Sequence, residues 1–240
     1  MSAQGHWKIQ EVMLQRVANA LGTELLQEMA FVGGCTTGLL ITDPASLEAV
    51  RFTDDVDLIV HVMSLGGWYR LQGQLAEKGF RNSPQDEVIC RMRLRDGDLG
   101  ELIVDFMPED AGILGFGNRW YADALREANH HVLPGGTVIP VVSPAYFLGT
   151  KLEAYRGRGD NDPLASRDIE DILNVVDGRA SLQEELSHSP PALRADIAEG
   201  IRDLLRHRDF DYAVQATARN NRQREALIFA RLEAIAAFDG

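Results

Sequence analysis

Lysine is scarce in this 240-residue chain: Lys8, Lys78 and Lys151 are only three of 24 basic residues, and the rest are arginine. Cysteine is scarcer. Cys35 and Cys90 stand alone, at no metal-ligand spacing, so a thiolate metal site is excluded. A reducing cytoplasm is the default setting for such a chain, and a disulfide between the two cysteines stays open at this stage. No apolar run is long enough to span a bilayer, and no basic-then-apolar signal segment precedes the first helix. The expectation is a cytoplasmic protein with no membrane partner. There is no internal repeat or low-complexity segment. Positive charge is also short, with a net charge of −12, which argues against broad nonspecific binding to nucleic acid but leaves room for a local basic patch.

What is present is ordinary for a globular protein: 45% hydrophobic and 25% charged residues. The length suits one large domain or two small ones. Met1 to His6 reads as a short loose start. Ile9, Val12, Met13, Val17, Leu21 and Leu25 follow at helical spacing. Ala30 to Val32 reads as a short strand ending in Gly33-Gly34, and a helix is expected from Thr36 to Ile41. Asp43 to Ser46 reads as a turn. Val56 to Val62 is short, apolar and rich in β-branched residues, the clearest strand in the chain. A helix should run from Gly66-Gly67 to a glycine stop at Gly79. Two strands, Val88 to Leu94 and Glu101 to Phe106, flank Asp96-Gly97-Asp98-Leu99-Gly100 as a hairpin. A helix at Trp120 to Ala128 and a strand at Thr137 to Val142 complete this half.

From Ser143-Pro144 onward nearly everything reads helical, with Ser143 as cap and proline at the first position. A polar loop is expected at Arg156 to Pro163, and Ser166 is placed to cap the next helix. Leu182 to Leu186, Pro191 to Leu205 and Arg222 to Phe238 suggest further helices. The fold class read from this pattern is α+β: a mixed β-sheet core with flanking helices over residues 1–142, then an α-helical domain over 143–240.

Three carboxylates need a common explanation. Asp55 and Asp57 open the strand at Val56, and residues two apart on a strand share a face. Side by side they repel unless a cation sits between them. Asp105 lies inside Leu102-Ile103-Val104-Asp105-Phe106, where an unpaired acid is costly to bury. If the two strands are neighbours, all three acids converge on one face and suit a hard cation, Mg²⁺ or Mn²⁺. The plain alternative is a solvated strand end and an edge-facing acid. Asp54 points away from the pair.

Gly33-Gly34 stands between a strand and a probable helix start, where backbone N–H groups approach phosphate oxygens. Thr36 and Thr37 can add hydroxyl donors. Lys151, on the helix after the strand ending near Val142, has the charge to anchor a triphosphate. Asp168 and Asp171, three apart, share a helix face. One can hold Lys151 or position a nucleophile, and a charged first helical turn explains each singly as well. Arg156 and Arg158 read as a solvated loop, and His130-His131 as structural or surface residues rather than a metal pair, because neighbours on a strand point opposite ways. The arginines near the C-terminus, from Arg202 to Arg224, are interspersed with acids and read as solvated helix faces.

Val32-Gly33-Gly34, Asp55-Val56-Asp57 and Asp105 together resemble the DNA polymerase beta-like nucleotidyltransferase superfamily. Lys151-Leu152-Glu153-Ala154-Tyr155 and Arg167-Asp168-Ile169-Glu170-Asp171 resemble the lysine and acidic-helix motifs of AbiEii/AbiGii toxin-type nucleotidyltransferases. The resemblance covers roughly residues 30–176. It implies a nucleotidyltransferase-type fold and transfer of a nucleoside monophosphate from an NTP to an acceptor hydroxyl, with release of pyrophosphate. It implies metal ligation by Asp55, Asp57 and Asp105, and triphosphate contact by Gly33, Gly34, Thr36 and Lys151. It further implies catalytic roles for Lys151, Asp168 and Asp171. A tRNA acceptor and a cognate antitoxin follow from the toxin-type relatives. A protein or small-molecule acceptor, or a noncatalytic nucleotide-binding module, are the alternatives.

Overall fold

The structure, a computed structural model, describes residues 3–97, 99–158 and 161–238. The first elements are α1 (Ala3–Leu26), β1 (Met29–Val32), α2 (Thr37–Leu40), β2 (Asp55–Val60), α3 (Leu65–Glu77), β3 (Phe80–Arg81), β4 (Arg91–Asp96) and β5 (Gly100–Pro108). Then come α4 (Ala111–Leu114), α5 (Tyr121–Arg126), β6 (Asn129–Val132), β7 (Val138–Val141), α6 (Pro144–Arg158) and α7 (Arg167–Gly178). The chain ends with α8 (Leu182–Ser187), α9 (Pro191–Arg206), α10 (Phe210–Thr217) and α11 (Arg222–Ala236). Short 3-10 turns occupy Gly34–Thr36 and Ser46–Ala49. The protein is α+β, and among the described residues no helix is long and apolar enough to cross a membrane.

Two compact units divide the chain. The first holds residues 3–36 and 51–143, and the second holds 37–50 and everything described from Pro144 onward. Residues 37–50 lie in the sheet half of the sequence, yet they pack with the helices. The reason is visible at the end of α7: the Gly178 carbonyl accepts the N–H groups of both Thr42 and Asp43 at 2.9 Å. Arg179 donates to the Leu40 carbonyl, and Arg224 clamps Asp177 and also reaches Asp43 and Ser46.

The sheet of the first unit has seven strands in the order β3-β4-β5-β2-β1-β7-β6. β2 runs parallel to β5, β1 parallel to β7, and the other neighbours are antiparallel. Alternation along β2 and β5 buries Val56, Leu58, Leu102, Val104 and Phe106 on one side. There Phe106 meets Phe80 edge to face, with centroids 5.3 Å apart. α3 lays Trp68, Leu71 and Leu75 into this core, its first turn capped by Ser64, which accepts from the Gly67 N–H. The opposite faces of β2, β5 and β4 carry the charged residues.

Several local expectations shift. The helix begins at Ala3 rather than after a loose start, of which Met1 and Ser2 lie outside the described residues. A non-helical Gly22, with φ at 74°, breaks α1 before its end. The expected helix from Thr36 to Ile41 is a three-residue 3-10 turn followed by four α-helical residues. α6 extends to Arg158, shortening the expected polar loop, of which residues 159–160 lie outside the described residues. The hairpin between β4 and β5 forms, and Asp98 of its loop also lies outside them. Ser166 caps α7 by accepting from the Ile169 N–H.

A Cβ on Gly178 would lie 2.8 Å from Ile41 Cγ2 and 2.9 Å from Ser46 Cβ. Gly178→Ala is therefore expected to loosen residues 37–50 from α7 and to lower stability by about 1–3 kcal/mol. A urea titration followed by circular dichroism checks this, and an unchanged midpoint would contradict the packing.

Candidate functional site

Register alone assembles the acid cluster. Across the sheet, Val32 of β1 pairs with Asp57 of β2, Asp57 with Asp105 of β5, and Asp105 with Arg91 of β4. Asp55 sits two residues before Asp57 on the same face. One ligand oxygen from each of Asp55, Asp57 and Asp105 lies within 4.8 Å of the others. Asp105 is buried, and Asp55 and Asp57 are half-buried. The three acids thus share one place, while Asp54 is exposed and stands apart. The Thr53 hydroxyl donates to Asp55 Oδ1 and fixes that carboxylate at the strand entrance.

Arg91 is the residue that sequence reasoning missed. Its Nε donates to Asp105 Oδ1 and its Nη2 to Asp105 Oδ2, both at 2.8 Å, a fork-on-fork pair. Both side chains are largely shielded, with relative exposures of 24% and 11%. The hydrogen bonds to Asp105 raise the guanidinium further above its already high value, so it stays charged. A signal did exist: β4 reads Arg91-Met92-Arg93-Leu94-Arg95, alternating charge with buried apolar residues. Finding the pair needed the register, which the sequence does not display.

Gly33 has a packing role that the sequence does not display. Its φ is 79°, and an added Cβ would overlap Asp57 Oδ2 and lie 2.7 Å from its Cγ. The space a side chain would take is filled by the Asp57 carboxylate. The hydroxyl expected to face phosphate at Thr36 is turned inward. Thr36 is fully buried, and both its N–H and its hydroxyl donate to the Gly33 carbonyl, at 3.1 and 2.8 Å. Gly34 and Thr36 belong to a single 3-10 turn, too short to supply the helix dipole that an anion site would use.

Both cysteines lie near the acids and are free and buried. Burial first, then the charges of Asp57 and Asp55, pushes the Cys35 thiol well above its ordinary value. Burial and the Asp105 charge push Cys90 up to about 12. Both are protonated at neutral pH and poor nucleophiles.

The second unit holds its own charge cluster. The Lys151 ammonium donates to Asp168 Oδ1 at 3.0 Å and to Asp171 Oδ2 at 2.7 Å, with the Phe147 ring 5.7 Å away. Arg158 makes a second fork on Asp168. Lys151 is 6% exposed and Asp171 fully buried. Burial alone would lower the Lys151 ammonium, but the attraction and hydrogen bonds of Asp171 and Asp168 outweigh it and hold it above its usual value. Burial opposes the charge on Asp168, and Lys151 and Arg158 overcome that and hold the carboxyl below its usual range. Two cations against two anions leave no net formal charge. Lys151, expected to meet a triphosphate, instead faces two carboxylates. Of the readings for Asp168 and Asp171, holding Lys151 is the one the geometry displays. Arg156 pairs with Asp196 at 2.7 Å, so neither loop arginine is simply solvated.

No family model matches the chain, and no curated protein matches it. Among solved structures the chain is similar to the crystal structure of an antigenic nucleotidyltransferase-like protein from Paracoccidioides brasiliensis. The two are 19% identical, with 96% of this chain and 94% of that chain covered and a TM-score of 0.48. That distance carries no residue's role from one chain to the other.

Two outcomes follow. Gly33→Ala is expected to displace the Asp57 carboxylate and strain the turn, lowering stability by about 1–3 kcal/mol; a thermal melt with the same midpoint as wild type would contradict it. For the second unit the sign runs in both directions. Asp168, held low, stabilises the fold above its unfolded value of about 3.9, and that contribution is lost as pH falls through the depressed folded value. Lys151, held high, contributes below its unfolded value of about 10.4 and is lost as pH rises through the raised one. Asp168→Asn should flatten the acid limb of stability against pH, read from urea midpoints. An acid limb as steep as that of wild type would contradict the assignment.

Proposed function

We propose that the chain is a metal-dependent nucleotidyltransferase. The observation that carries this reading is the convergence of Asp55, Asp57 and Asp105 on one face of the sheet, from two strands paired in parallel register. Three carboxylates make an all-oxygen donor set, which suits Mg²⁺ or Mn²⁺ rather than a thiophilic ion. Three clustered carboxylates, one of them forked by Arg91, concentrate negative charge that a divalent cation would balance. Held by Asp55, Asp57 and Asp105, such a cation would supply charge neutralisation for the triphosphate and the leaving pyrophosphate.

The chain's own residues then have separable tasks. Asp57 is held against the Gly33 turn, which fixes where its oxygens point. Asp55 is oriented by Thr53. Asp105 is oriented by the Arg91 fork. The reaction we assign is attack of an acceptor hydroxyl on the α-phosphorus of an NTP, with pyrophosphate leaving. Arg95 is exposed and alternates along β4 with Arg91 and Arg93, which are held by carboxylates, and this exposed cation favours an anionic acceptor over a neutral one. An RNA 3′ hydroxyl is the acceptor in this reading, with tRNA and a toxin role as its narrower form. A triphosphate reaching Lys151 would compete with Asp168 and Asp171, so we leave Lys151 outside the nucleotide site.

Incubation of the full chain with each labelled NTP, Mg²⁺ and total RNA or protein extract tests this reading. The expected outcome is Mg²⁺-dependent pyrophosphate release with label on RNA. Asp57→Asn is expected to reduce the rate by more than about a hundredfold. Label on protein alone would overturn the acceptor, and full activity of Asp57→Asn would overturn the site.

A further inference from the structure

The three acids raise a question that the metal reading leaves open: what holds them together before a cation arrives. Like charges this close are unfavourable, and each carboxylate is at least partly withdrawn from water. Asp105 is the most buried of the three. Its two oxygens both accept from a guanidinium at 2.8 Å. Arg91 is kept in place by its backbone as well, paired across the ladder with Asp105 and donating its N–H to the Val88 carbonyl at 3.1 Å. The partner is thus built into the strand rather than swung in from a loop tip.

We propose that Arg91 is a resident counter-cation of this cluster, and that a divalent cation has to compete with it for Asp105. The proposal rests on the metal reading above. A fork-on-fork pair takes up a lone pair on each Asp105 oxygen, and a cation shared with Asp57 would draw on the same carboxylate. Two positive charges on the same carboxylate also repel over a few ångströms in a shielded site. Arg91 therefore does two things. It makes the cluster stable without metal, and it lowers the affinity of the cluster for a bare cation. A cation that arrives with an anionic phosphate brings the released guanidinium a new partner, so the site favours a metal–phosphate pair over the metal alone.

The opposite possibility is that Arg91 only orients Asp105 as a metal ligand. The two predict opposite signs. The test is Mn²⁺ binding to the full chain, measured by calorimetry for wild type, Arg91→Gln, Asp105→Asn and the double variant. Arg91→Gln is expected to bind Mn²⁺ on the order of tenfold tighter than wild type. In the Asp105→Asn background the same change should have little effect, because the competition runs through Asp105. Arg91→Lys keeps a charge without the fork, serves if Arg91→Gln does not fold, and should tighten binding by a smaller factor. Mn²⁺ binding that depends on Asp57 but is unchanged or weakened by both Arg91 variants overturns this proposal alone. Absence of any Asp57-dependent Mn²⁺ binding overturns the metal reading, and this proposal with it.

Discussion

The parallel pairing of β2 with β5 is the constraint on which the candidate site depends. One step of register places Asp57 beside Asp105, and a slip by one residue would send every charged side chain of one strand into the apolar face. The apolar residues therefore police the position of the acids. Val56, Leu58, Val104 and Phe106 have to lie inward, and that requirement leaves Asp55, Asp57 and Asp105 facing the other way. The chemistry is placed by the core rather than by contacts among the acids, which on their own would drive them apart.

Much of this was legible in the sequence, for definite reasons. Asp55-Val56-Asp57 and the Asp105 stretch each combine an acid with a short β-branched run, and the alternation fixes which face each side chain takes. The helical second half was legible from spacing, and the Ser166 cap from its position before Arg167 to Ile172. What escaped was whatever depends on pairing between distant segments. Arg91 matters because β4 lies next to β5 at one register. Gly33 matters because Asp57 fills its missing side chain, where the sequence pointed to phosphate. Thr36 looked like a donor to a ligand, but the 3-10 turn directs its hydroxyl to Gly33. The two-residue strand β3 and the exposed β6 carry too little apolar pattern to announce themselves.

Buried charge is handled in two ways within one chain. In the helical unit, Lys151 and Arg158 close on Asp168, and Lys151 also on Asp171. Such a set is weak as a source of net stability but severe when a partner is removed, since an orphaned carboxylate at Asp171 would have no exposure to water. In the sheet unit three carboxylates converge on one another, with Arg91 forked on one of them. That difference separates a structural cluster from one with capacity for a ligand, and it is visible only when each acid is counted with its partners.

Residues 37–50 leave the sheet unit after one turn of chain and rejoin it at Arg51, having packed with helices whose sequence begins more than a hundred residues later. During synthesis this segment emerges early and must wait for α7 before it can settle. A nascent chain therefore cannot finish its first half before starting its second. Neither unit exists as a continuous stretch that evolution or an experimenter can lift out by a single cut. A split at residue 143 would give one fragment with an unsatisfied segment and another lacking the strand of chain that its Gly178 carbonyl and Arg179 were built to hold.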